Sequence, residues 1–292
     1  MTEPKNTGDG QPNKRILERP FYAGLVVPIA IVLTGALIIL GVTKMLSTSK
    51  SHRDLVQELQ SKRFGNRWVA AYELSKVLNT KKFEGAEAVW ITNALIDVYK
   101  GARDARTRNF LVLAVGSMQG PQAIEFLVKA ARDPDNKVVF SALASIGNHE
   151  SIEGVDLTLL KPLFDSEDPG LVQALQFALA QHKIDWAKDL ITKNLNAESL
   201  GLRYASAVAL INYKEDRAID TLAEILSLAD TVKERGPNVL DAKKRLALKV
   251  NILNLIGKQK WDILRPKLVQ LASDGNITVS TKAKEVLNIL KN

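Results

Sequence analysis

A polar turn followed by a small-residue helix recurs along this chain, and no other feature restricts its possible folds so sharply. It is plainest in "RDPDNKVVFSALASIGNHESI", residues 132–152, where a turn at Asp133, Pro134, Asp135 and Asn136 leads into an apolar helix and a Gly-Asn close. "DSEDPGLVQALQFALAQHK" repeats the unit 35 residues later: Pro134 answers to Pro169, and Val138 to Val172 with one residue removed. "SKRFGNRWVAAYELSKVL", "ARDARTRNFLVLAVGSMQGPQA" with Asp104 at the cap position, and "LNAESLGLRYASAVALINYKEDRA" with Asn196 and Glu198 belong to the same set. "ERGPNVLDAKKRLALKVNILNLIG" and "ASDGNITVSTKAKEVLNIL" complete it. An amphipathic first helix precedes each unit, at about 51–61, 86–100, 121–131, 156–164, 186–195, 217–228 and 261–272. Paired helices returning about every 29 to 40 residues, with no strand-like alternation between them, are the pattern of an α-solenoid.

The chemistry of the unit explains its recurrence. Asp or Asn in the turn accepts from the free amides at the start of the second helix, and Pro stops the first. Ala and Ser in "SALAS", "ASAVAL" and "VAAYEL" let helices approach closely, while Leu, Ile and Val at helical spacing fill the seam. Gly147 and Gly257 are expected to end their helices as left-handed C-terminal caps. One such pair cannot bury its apolar face alone, so the reading is all-α: about seven pairs in one continuous core over residues 51–292.

Ahead of the array stand a polar tail (1–19), an apolar segment (20–46) and a short link (47–50). From Phe21 to Thr43 there are 23 residues without a charge. At about 1.5 Å per residue they reach roughly 35 Å, enough to cross a hydrocarbon core of about 30 Å. Phe21 and Tyr22 suit one interface and Lys44 can snorkel at the other. The run is longer than the apolar region of a signal peptide, and "VTKMLSTSK" offers no small-residue cleavage site. A single transmembrane helix is therefore expected, with a mild kink at Pro28. Lys14, Arg15 and Arg19 on one side balance Lys44, Lys50 and Arg53 on the other. Long domains cross a membrane largely regardless of charge, whereas a short cationic tail resists export. The expected arrangement is a bacterial inner membrane with the tail in the cytoplasm and the solenoid outside it.

The 40 Lys and Arg against 32 Asp and Glu give a net charge of +8, of which residues after Arg53 carry only +4 (33 against 29). That is too dilute for an evident nucleic-acid binder. The absence of cysteine excludes disulfides, thiolate nucleophiles and Cys-ligated metals. His52, His149 and His182 lack metal-ligand spacing, and no nucleophile elbow or phosphate-binding glycine loop occurs. No catalytic, cofactor or metal site is expected.

"DPDNKVVFSALASIGN" resembles the HEAT repeat in its short form, often called HEAT-like or PBS-lyase-like. The residues that carry the likeness are Asp133, Pro134, Val138, Ala142, Leu143, Ile146, Gly147 and Asn148. It extends over roughly residues 50–292 and is clearest at 121–216. Val138-Val139 stands where the family often has Val-Arg. The resemblance implies a scaffold that holds protein partners on an extended surface. Some members of the short class are bilin lyases or their regulators, which makes an enzyme subunit the alternative reading.

Charge distinguishes the two helix layers. The second helices carry twelve basic residues, among them Arg67, Arg106, Arg108, Lys137, Arg203, Lys243 and Lys244, against six acids. Four of those acids lie near helix starts, where the dipole favours them. The first helices are balanced, with nine basic and ten acidic residues. A mildly positive concave face is expected, with those seven residues as candidate partner contacts; a tether to anionic lipid or nucleic acid is the other use such a face could have. In "DAKKRLALKVNILNLIG", about 100° per residue puts Arg245 and Lys249 in the packed arc and leaves Lys243, Lys244, Asn251 and Asn254 on a polar one. The insertion at 229–240 lengthens one turn and is a further candidate contact.

The topology has a direct check in a chain without cysteine. Single cysteines at Ser51 and Thr7, in separate variants, are to be labelled on intact cells with a membrane-impermeant maleimide. Labelling at 51 and none at 7 is expected; the reverse pattern puts the solenoid in the cytoplasm.

Overall fold

The structure, a computed structural model, describes residues 50–61, 67–229 and 240–291. The expected tail and membrane helix, the Gly65-Asn66 turn and the interior of the insertion lie outside those residues. Among the described residues no helix is long and apolar enough to cross a membrane, and there is no strand. Residues from His52 onward form one compact unit.

Its described residues form seven helix pairs. The first four are α1 (His52–Gln60) with α2 (Arg67–Thr80), α3 (Gly85–Lys100) with α4 (Ala105–Gly116), α5 (Pro121–Ala130) with α6 (Asn136–Asn148), and a 3-10 helix (Leu157–Asp165) with α7 (Pro169–Gln181). The last three are α8 (Asp185–Lys193) with α9 (Leu200–Leu210), α10 (Ile219–Ser227) with α11 (Ala242–Gln259), and α12 (Arg265–Leu271) with α13 (Ile277–Ile289). The expected α-helix at 156–164 is a 3-10 helix because Pro162 lies inside it. Proline lacks the N–H, and its ring meets the carbonyl four residues back in α geometry.

The turns form as their residues dictate. Asp135 Oδ1 accepts from the amides of Lys137 and Val138, and Asp133 Oδ1 accepts from the amide of Asp135. The same double turn recurs at Ser166 and Asp168, and at Asp274 and Asn276. Asp104 and Asp241 cap α4 and α11. In pair 5 the cap is Ser199, which accepts from the Leu202 amide, while Asn196 belongs to a 3-10 turn at Asn194–Asn196.

Second helices pack one on the next along the stack, whereas first helices touch sparsely, so the second-helix layer is the inner side of the curve. Between pairs 5 and 6 the contact passes through Ile211–Tyr213, the turn that extends α9. Small residues allow the approach. Gly147 and Gly257 do not cap their helices but lie inside the last turns of α6 and α11. A Cβ on Gly147 would stand 3.1 Å from Cα of Ala178 on α7, and one on Gly257 would stand 3.3 Å from Val286 on α13. Left-handed backbone after second helices falls instead on Lys183, Lys214 and Lys260. One apolar core runs from Leu55 to Val286.

Polar contacts add a staple between pairs 2 and 3. Arg108 grips Asp133 through Nε to Oδ2 at 2.7 Å and Nη2 to Oδ1 at 2.9 Å, and the Tyr99 hydroxyl donates to the same carboxylate. Burial works against the charge on Asp133, yet the guanidinium and the hydroxyl outweigh it and hold its carboxyl below the usual range. Its stabilising effect is present above the ordinary carboxylate pKa of about 3.9 and is lost as pH falls through the depressed value. The three histidines are also structural. His52 meets Glu87 at 2.8 Å. His149 is buried against the Ser151 carbonyl, and burial holds its pKa below the ordinary value. His182 reaches the Ile146 carbonyl.

Asp133→Ala leaves Arg108 and Tyr99 without their shared acceptor. The expected cost is about 3 kcal/mol, because one partner of a buried pair is removed. It is to be read as a lower urea midpoint at unchanged slope. Asp97, whose pair with Lys100 is 70% exposed on both sides, serves as the control and costs next to nothing as Ala. Equal losses at the two positions would contradict the staple.

Candidate functional site

The inner face is built by helical spacing. Residues three or four apart on each second helix share a line directed away from the core. On α2 the line is Trp68, Tyr72 and Lys76; on α4 it is Arg106, Phe110 and Leu113; on α6, Phe140, Ala144 and Asn148; on α7, Gln173, Phe177 and Gln181. Trp68, Tyr72, Leu113, Phe140 and Phe177 are all exposed, and Phe140 is 50% so. Rings from neighbouring helices meet: Trp68 and Phe110 at 6.5 Å, Tyr72 and Phe110 at 5.1 Å. Arg106 lies over the Trp68 ring at 4.9 Å and Lys76 over Tyr72 at 4.9 Å. Each such contact is worth about 0.5–1 kcal/mol at an exposed site.

Farther along, the line closes into a groove. The corresponding residues of pair 5 (Ala205 and Val208 of α9, and Asn212 in the 3-10 turn that follows it) are buried. α11 packs across Ile211–Tyr213, and Gln259 donates to the Asn212 side chain at 2.9 Å. Asn251 and Leu255 of α11 then face α6 and α7 across a cavity of about 430 Å³. Phe140 and Phe177 supply its apolar floor. Five amide side chains, of Asn148, Gln173, Gln181, Asn212 and Asn251, line it, and no charged residue does.

The seven basic candidates do not form one patch. Arg106 and Lys137 are exposed on the inner side, and no carboxylate among the described residues pairs with either. Arg67 is partly buried and donates to the Ser61 carbonyl. Arg108 turns inward to Asp133, so its guanidinium is committed to the fold. Arg203 is half-covered and lies 3.8 Å from Glu224. Lys243 and Lys244 are exposed, Lys244 beside Asp241 at 3.6 Å. Arg245 and Lys249 are buried, at 4% and 3% exposure, in the arc where spacing put them. Arg245 donates to the carbonyls of Ala229 and Leu240 and so holds both ends of the insertion.

Helix-layer charge therefore overstates the basicity of the face, since the layer count includes cations that serve packing. Sequence reasoning also missed the aromatic line. Its signal was available: Trp68 and Tyr72 are one turn apart on a helix whose seam is already filled by Ala70, Ala71, Leu74 and Leu78. Other strongly shifted groups have structural partners. Arg217 at 2.7 Å is the main cause holding the Glu215 carboxyl down to about 2, against burial. Among the described residues no cluster of three or more acidic or histidine side chains could hold a metal.

The family described as HEAT repeats matches residues 92–180. The crystal structure of YibA from Escherichia coli is similar in fold, with a TM-score of 0.51 and 16% identity over 82% of each chain. A designed armadillo repeat protein is similar at 20% identity and a TM-score of 0.37, over 82% of this chain and all of its own. No curated protein matches the chain. The fold is an all-helical repeat solenoid, and residues 92–180 of it are similar to HEAT repeats.

Reversing Lys243 and Lys244 to Glu should leave the helical signal and melting temperature nearly unchanged, because exposed charges contribute little. The same reversal at Arg245 and Lys249 forces buried groups apart and should cost about 3 kcal/mol or more. Urea titration of both double variants decides it, and equal stability would refute the packed arc.

Proposed function

We propose that this chain is a membrane-anchored scaffold that holds a polypeptide segment along its second-helix face. In this reading the uncharged run of residues 21–43 is the anchor, and the cations of the short tail before it argue for a solenoid outside the cytoplasm. The partners are proteins in or near the same membrane, and the role is that of an adaptor or assembly subunit.

The observation that carries the polypeptide reading is the lining of the cavity between α6, α7 and α11: two phenylalanines, five amides and no charge. An amide side chain offers both donors and an acceptor. An extended polypeptide presents N–H and C=O groups in alternation and inserts side chains on one face, so amides and apolar floor both find partners. Nucleic acid and lipid headgroups present negatively charged phosphate, which calls for cations at this place. HEAT repeats in residues 92–180 support the same reading, since both faces of the α6–α7 seam fall within the matched span.

The test uses Phe140→Ala with Phe177→Ala. Both rings are substantially exposed, so the melting temperature should move by only a few degrees. The full chain, captured in nonionic detergent from native membranes, should retain proteins that the double variant loses, with or without nuclease treatment. Retention of the same proteins by both forms, or loss of all of them on nuclease treatment, would remove this groove as the contact.

A further inference from the structure

We infer that the part of the inner face formed by pairs 1 to 3 receives an acidic polypeptide segment, with acids flanking an apolar centre. The inference rests on the polypeptide reading above and adds the chemistry of the partner.

Two concavities lie at opposite ends of α2 and α4. Arg67, Arg103 and Arg106 line the one at the helix starts; Lys76, Lys81 and Lys82 line the one at the helix ends. Against these six cations the two linings hold one acid, Asp104, whose carboxylate already accepts from the Thr107 amide as a cap. Some of the cations are partly engaged: Arg67 with the Ser61 carbonyl, Lys76 with Glu73 at 3.5 Å, Lys82 with Glu150 at 3.9 Å. Arg106 is held by the Trp68 ring alone, its charge uncompensated by any described carboxylate. Between the two cationic ends lie Trp68, Tyr72, Phe110 and Leu113.

This arrangement specifies a pattern. From Arg67 to Lys81 is fourteen residues of sequence, roughly 21 Å along a helix at 1.5 Å per residue. An extended segment covers that distance in about six residues. A complementary segment carries acidic groups about six residues apart with aliphatic or aromatic side chains between them. The cations sit in two groups separated by rings, rather than in the continuous row that a polyphosphate would follow. Asn148 lines both the Lys76 concavity and the amide cavity, so a segment seated on pairs 1 to 3 continues onto Phe140.

Selection of a displayed library of random peptides of about twelve residues, some 40 Å when extended, on the full chain in nonionic detergent tests the inference. Enriched peptides should carry Asp or Glu flanking an apolar centre. Arg106→Glu with Lys76→Glu should weaken a representative peptide at least tenfold, Arg106→Lys should retain it, and wild-type binding should fall as salt rises. Circular dichroism of each variant confirms the fold. Enrichment without acidic bias, or peptides indifferent to the reversal, overturns this inference and leaves the polypeptide reading standing. Enrichment of no peptide at all overturns both. In that case oligothymidylate and phosphatidylglycerol vesicles, as the remaining probes, show whether the face takes a phosphate polymer or a membrane.

Discussion

Everything in this fold depends on how closely each second helix can approach the next. Gly116 on α4 faces Ser145 on α6, and Gly147 on α6 faces Ala178 on α7, so both seams stay shallow. At Gly147 the backbone of one helix all but touches the backbone of the other. Close packing on the inner side and looser packing on the outer side is what curves a stack of pairs. The Asp133 staple is the polar counterpart. The residue that shapes the turn before α6 is also the acceptor for Arg108 and Tyr99 of the preceding pair, so one carboxylate sets both a local turn and the step between repeats.

Curvature then determines what the inner face can do. Side chains three or four apart on successive helices fall into adjacent lines, and large residues in those lines have nowhere to be buried. Trp68, Tyr72, Phe140 and Phe177 therefore make a surface of rings, with the partly buried Phe110 joining the first two to the core. The stack does not stay regular. At pair 5 the inner line is covered, and α11, eighteen residues long, closes the end of the groove. The face is accordingly divided into a cationic and aromatic stretch over pairs 1 to 3 and an uncharged amide cavity beyond it.

Much of this was legible in sequence because its causes are local. Caps such as Asp104, Asp135 and Asn276 sit two or three residues from the amides they serve, and the apolar spacing of each first helix marks its extent. The burial of Arg245 and Lys249 followed from helical spacing alone. What was not legible depends on partners a repeat away. Arg108 reads as a surface cation until Asp133, 25 residues on, is placed beside it. Gly147 reads as a helix stop until α7 is laid against it. The amide cavity draws on α6, α7, the turn after α9 and α11, and no stretch of sequence shows those four together.

The central claim is that the inner, second-helix face is the one that holds a polypeptide. Phe140 on α6 and Leu159 on the 3-10 helix of the outer layer are almost equally exposed, at 50% and 47%. A photoreactive phenylalanine placed at one position or the other, in the full chain in its native membrane, compares the two faces with little else changed. Protease-sensitive crosslinked products from position 140 and none from position 159 are the predicted result. Products from position 159 with none from 140 would contradict it.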